Sequence, residues 1–144
     1  MAFRWSKEMT PSDAHQKEGS TNMPFRFTGE DKRDQNSWFR HVLFNSANWH
    51  QETSGRFVND IAKISVEVVF HGNNLGHKQM TLDHRDDRAK HNDAPTTYLH
   101  LNDELKAMLQ ATDCTNEYIV FERDDAGNYR LEIQAAAPNP AHIP

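Results

Sequence analysis

The chain is poor in the features that mark several familiar protein classes. It has a single cysteine, Cys114, in 144 residues, which rules out an internal disulfide and a multi-cysteine zinc cluster and makes a reducing, cytoplasmic compartment the default expectation. No apolar run approaches the ~20 residues of a membrane helix, and the first residues carry no apolar signal core, so a protein that does not engage a membrane is expected. A Gly-rich phosphate loop and a Gly-x-Ser-x-Gly elbow are both missing. Basic charge is in short supply too: the formal net charge is −5, which excludes a generally basic nucleic-acid binder.

What is present reads as one globular domain. Hydrophobic residues make up 36% and charged residues 26%, a polar composition but not a disordered one. Residues 1–60 hold eight basic and eight acidic side chains, residues 61–100 five and five, and residues 101–144 three and eight. The whole acidic surplus therefore sits in the last third, and the first hundred residues have room for a local basic face. Residues 1–24 are polar and aperiodic and read as a flexible arm, residues 25–134 as the single domain, and residues 135–144, with three prolines, as an extended tail.

Period-two alternation dominates the middle. Ala62, Ile64, Val66, Val68 and Phe70 fall on one face and Lys63, Ser65 and Glu67 on the other, the signature of a strand with one buried side. His71 to Gly76 is a turn cluster, and Met80 and Leu82 mark a second strand. The segment Asp83 to Asp93 has no large apolar residue and reads as a charged loop, before alternation resumes over Thr96 to Leu101. Ser37 reads as the N-cap of a short helix from about Trp38 to Phe44, and Asn102 as the cap of a second, with Leu105, Met108 and Leu109 as its apolar stripe and its end near Thr112-Asp113. Asn45 to Asn59 reads as a polar connection, and two strands, Glu117–Arg123 and Tyr129–Gln134, flank a five-residue loop with Gly127. Five strands and two short helices predict a mostly β or α+β domain, a small open antiparallel barrel.

No catalytic constellation stands out. Asp83, His84, Asp86, Asp87 and His91 offer metal-type donors, but Arg85, Arg88 and Lys90 lie among them and oppose a cation. Asp83-His84, Asn92 and His100 follow the order of a histidine–asparagine–histidine nuclease finger, yet His100 falls on a strand where that motif needs a helix. His15-Gln16-Lys17 matches a His-x-Lys nuclease core without the aspartate that should follow, since Asn22 stands there. Cys114 has no identifiable base and reads as a small residue packed after a helix. No catalytic residue, cofactor or metal is assigned from the residues.

Four segments together carry a family resemblance. They are Trp38-Phe39-Arg40 with Leu43-Phe44 and Trp49; Val66-Glu67-Val68 through Gly72 and Gly76 to Leu82-Asp83-His84; Asn92 with Thr96-Thr97-Tyr98-Leu99-His100 and Leu105; and Tyr129 to Ile133. In this order they resemble the carboxy-terminal specificity domain of NgoFVII-type restriction endonucleases. That domain is a DNA-reading pseudobarrel similar to those of plant transcription factors and of the amino-terminal domain of the EcoRII enzyme. The chain lacks the family's phospholipase-D-like nuclease part and has Leu101 where a tryptophan is expected. The resemblance implies a sequence-specific double-stranded DNA-binding domain of a restriction-modification or phage-defence system, without its own nuclease centre, that works with a nuclease or methyltransferase subunit. Candidate DNA contacts are Lys32, Arg33, Arg85, Arg88, Lys90 and Asn92, which combine phosphate-neutralising cations with a base-reading amide. The alternative is a protein-interaction module or inhibitor that presents Asp113, Glu117, Glu122, Asp124 and Asp125 to a basic partner. A metal-dependent nuclease is the more distant reading.

Overall fold

The computed structural model describes residues 2–16, 25–27, 38–55, 57–85 and 96–144. The fold is mostly β, as expected, with two short helical segments among the described residues. One eight-stranded sheet runs in the order β1-β7-β8-β4-β5-β6-β2, with β3 paired to β4, and it is open, its path ending at β1 and at β2. The strands are β1 (Phe3–Glu8), β2 (Phe25–Arg26), β3 (His50–Ser54), β4 (Phe57–Phe70), β5 (Asn73–Arg85), β6 (Thr96–His100), β7 (Tyr118–Arg123) and β8 (Tyr129–Gln134). The one α-helix among the described residues is α1 (Asp103–Ala111). No helix among the described residues is long and apolar enough to cross a membrane.

The chain forms two compact units. The first comprises Met1–Met23, Ser65–Gln79 and Leu101–Pro144. Here β7 and β8 form the hairpin expected from the sequence, closed by residues 124–128 with Gly127 at φ 87°. Alternation sends Ile119 and Phe121 to the same face as their partners Ile133 and Leu131, and all four are buried. Trp5 of β1 pairs with Phe121 and is 1% exposed. Phe3–Glu8 is thus an edge strand, although the sequence reading places it in the arm. The interspersed Arg4, Lys7 and Glu8 conceal the pattern, and the strand is tied down by residues far away in sequence. Arg4 exchanges backbone hydrogen bonds with Ile143, and Ser6 Oγ donates to Ala141 O at 3.0 Å. Residues 141–143 of the tail therefore lie alongside β1. A second departure is that β8 pairs with residues 66–70 of β4 in parallel, so the sheet is not wholly antiparallel.

The second unit comprises Pro24–Ile64 and Met80–His100. Its core gathers Phe25, Phe27, Phe39, Leu43, Phe44, Ile64, Met80, Leu82 and Leu99, all nearly inaccessible to solvent. The short helix expected from Trp38 to Phe44 is a π-helical turn over Phe39–Leu43, closed by Phe44 N donating to Phe39 O at 2.8 Å. The widened turn seats both Phe39 and Phe44 against Phe27, with ring centroids 4.6 and 5.5 Å apart. The polar connection expected over 45–59 contains β3, which pairs with β4 from His50↔Ile61 to Ser54↔Phe57. Its residues, His-Gln-Glu-Thr-Ser, carry no apolar alternation because the strand contributes backbone pairing at an edge rather than a buried face.

Candidate nucleic-acid interface

The register of β5 and β6 sorts the sequence on either side of residues 86–95 into two faces. Opposed residues of an antiparallel pair project to the same side of the sheet. Leu82↔Leu99 and His84↔Thr97 point into the core, and all four are at most 1% exposed. Thr81↔His100, Asp83↔Tyr98 and Arg85↔Thr96 point to the other side. Pairing of β2 with β6 adds Arg26, opposite Tyr98, to that second face. Arg26 and His100 are exposed and Arg85 and Tyr98 half-exposed, so this is a polar face built on a hydrophobic floor.

Asp83 organises it. Its side chain is only 6% exposed, and Arg85 donates to its Oδ2 from Nη2 at 3.0 Å and from Nε at 3.3 Å. His100 Nε2 lies 3.9 Å from the same oxygen. Burial alone pushes the Asp83 carboxyl up, but the hydrogen bonds and charges of His100 and Arg85 outweigh it and hold the group below its usual range. The Arg85 guanidinium also sits 4.8 Å from the Tyr98 ring centroid. A buried anion on one edge and a π-face beneath restrict its rotamers while leaving its side chain 36% exposed. Arg40 repeats the device in the same unit: its Nε bonds Asp60 Oδ2 at 3.1 Å, and its guanidinium lies 4.4 Å from the Trp49 centroid.

Asp83, His84 and Arg85 are thus strand residues, not part of a solvated loop as the sequence reading has them. The absence of large apolar residues there conceals two buried polar side chains. His84 is held inside by a 2.7 Å contact between its Nδ1 and Thr97 Oγ1. Asp83 and His84, adjacent on a strand, project to opposite faces and do not converge on one metal. Of the six candidate DNA contacts, Arg85 lies on the polar face, while Lys32, Arg33, Arg88, Lys90 and Asn92 lie outside the described residues, as do Asp86, Asp87 and His91. Arg26, Tyr98 and His100 join Arg85 on that face. Strand parity flags Tyr98 and His100, whereas Arg26 belongs to a two-residue strand that no sequence pattern reveals.

The acidic residues of the other reading are partly occupied. Asp124 Oδ1 accepts from Ala126 N and Asn128 N at 2.9 Å each, and Asp113 Oδ1 from Thr115 N at 3.0 Å. The hydrogen bonds with Asn128 and with Thr115 hold these two exposed carboxyls below their usual range. Glu67, Glu122 and Asp124, with His77 and Arg130, line a pocket of about 290 Å³ in the first unit. No protein-family model matches the chain, and no curated protein matches it.

Proposed function

We propose that this chain is a sequence-specific double-stranded DNA-binding module that carries no nuclease centre of its own and serves a nuclease or methyltransferase partner. The observation that carries the reading is Arg85, held by buried Asp83 and stacked on Tyr98, on one polar face with Arg26 and His100. An arginine fixed in this way gives up little rotamer entropy on binding and presents a planar fork suited to phosphate or to a guanine edge. Arg85 also leads directly into residues 86–95, the segment with Arg88, Lys90 and Asn92. The resemblance to NgoFVII-type specificity domains supports the same task.

The test is selection of duplexes from a randomised pool at low salt, followed by affinity measured against salt concentration. Retained duplexes should lose affinity steeply as salt rises, and Arg85→Ala and Arg26→Ala should each flatten the log–log slope by about one if they neutralise a phosphate. Failure to retain any duplex at low salt would refute the reading. A second reading, a protein-interaction module for a basic partner, draws support from the acidic pocket around Glu67, Glu122 and Asp124. A partner that survives nuclease treatment of the extract and is lost in Glu122→Gln would favour it.

A further inference from the structure

Two tight turns of the first unit bring three metal-type donors together. His71 occupies the first position of the two-residue turn between β4 and β5, where His71 and Gly72 both take positive φ (48° and 80°). Its N–H donates to Ile133 O at 3.1 Å, fixing the turn to β8. Cys114 and Glu117 flank the turn between α1 and β7, in which Glu117 N donates to Cys114 O at 3.0 Å. That second turn is clamped by Met9: Asn116 N donates to Met9 O at 2.9 Å, and Met9 N to Glu117 O at 2.8 Å. The three donors thus stand on backbone that neighbouring elements hold in place.

A ligand-bearing atom of each of the three residues lies within 4.8 Å of the other two, the one such group of histidine, cysteine and acidic donors among the described residues. His71 Nε2 is 2.7 Å from Glu117 Oε1. A tetrahedral ion with bonds of about 2.0–2.3 Å needs its ligand atoms roughly 3.3–3.8 Å apart. The three donors span a volume of that size, and the histidine–glutamate contact would open by roughly 1 Å to admit the ion. We propose that His71, Cys114 and Glu117 form a binding site for a borderline transition-metal dication of the zinc class.

The donor chemistry selects the ion. Sulfur with imidazole and one carboxylate suits zinc-class metals and disfavours magnesium and calcium, which take all-oxygen shells. A thiolate and a carboxylate together cancel the two charges of the ion, and the Cys114 proton leaves to solvent as the metal–sulfur bond forms. Three protein ligands leave a fourth tetrahedral position for water or an outside ligand. With the His71 and Glu117 side chains 35% and 23% exposed and Cys114 buried, the ion would enter from the solvent side and rest on the sulfur. The site uses residues of the first unit alone and does not depend on the DNA reading.

Cobalt(II) titration of the full, reduced chain tests the proposal. Cys114 is the sole cysteine, so a sulfur-to-cobalt charge-transfer band at one metal per chain reports on this site without any variant. The expected result is such a band, abolished by zinc competition. Zinc affinity should drop at least tenfold, about the loss that follows when only a supporting group is removed, in His71→Ala and in Glu117→Gln. His41→Ala, at an exposed histidine of the second unit, should leave it unchanged. Saturation with cobalt without the band, or zinc affinity unaltered in folded His71→Ala or Glu117→Gln protein, would overturn the assignment.

Discussion

Asp83 and Glu117 are both carboxylates with a histidine close by, but their surroundings turn them to opposite uses. Asp83 lies almost inaccessible at the edge of a hydrophobic floor and has a guanidinium on it as well as the imidazole of His100. Its charge is spent inside the protein, and what the cluster shows to solvent is the cation, Arg85. Glu117 meets the imidazole of His71 and the thiol of Cys114, with no guanidinium or ammonium of a described residue bonded to it. The first arrangement displays a positive group to an anion; the second gathers donors for a cation. Residue type alone does not separate them, because aspartate or glutamate with histidine is common to both. The third partner, arginine in one and cysteine in the other, sets the sign of what each cluster attracts.

The contrast can be broken at several points. The largest effect should come from Trp5→Ala, since β1 leads into Met9, which clamps the Glu117 turn. Loss of this 1%-exposed ring should cost about 3–5 kcal/mol in chemical denaturation, whereas Val58→Ala on an exposed part of β4 should stay within about 0.5 kcal/mol. An equally small effect for Trp5→Ala would return β1 to the status of a loose arm. Next, Asp83→Ala should cost about 1–3 kcal/mol, because Arg85 loses its acceptor. Glu117→Gln, on a half-exposed side chain, should cost less, and the reverse order would show that the buried anion is not the organiser of its face.

The pH dependence sharpens the same comparison. The Asp83 carboxyl is held below its usual value of 3.8, so its stabilisation is present above that pH and is lost as pH falls through the lower native value. The stability gap between the wild type and Asp83→Asn should therefore narrow only below pH 3.8, as followed by denaturant titrations at stepped pH. A gap that stays constant into strong acid would contradict the ion pair. For the other cluster, burial first, then the hydrogen bond with Glu117 and the charges of Glu117 and Asp113, push the Cys114 thiol up to about 12. In metal-free protein Cys114 should therefore resist a thiol-disulfide reagent near neutral pH and react fully only after denaturant is added. Rapid labelling of the native chain would show that the thiol is not enclosed.

Much of the fold was legible where one face is buried and the other wet. Ala62 to Phe70, Thr96 to Leu101 and Tyr129 to Ile133 alternate cleanly, and the Asp124–Asn128 loop announces its hairpin. β1, β2 and β3 were not legible, since edge strands are held by backbone pairing and distant cover rather than by their own apolar pattern. The Trp38–Phe44 helix showed its apolar spacing but not its i→i+5 hydrogen bond, which follows from packing both Phe39 and Phe44 on Phe27.

The site divides in a similar way. Alternation along β6 sets Tyr98 and His100 on the side away from Leu99, the single cysteine excludes an internal disulfide, and the residue order shows no long apolar run. Local chemistry could also propose Arg85 as a cation of interest. It could not bring Arg26 beside Tyr98, bury Asp83 under Arg85, or carry His71 to Cys114 and Glu117 across more than forty positions of chain. Those pairings depend on strand register and on turns fixed by remote backbone, which are properties of the assembled sheet. Periodicity reports which way a side chain points, while only long-range pairing decides what it meets there.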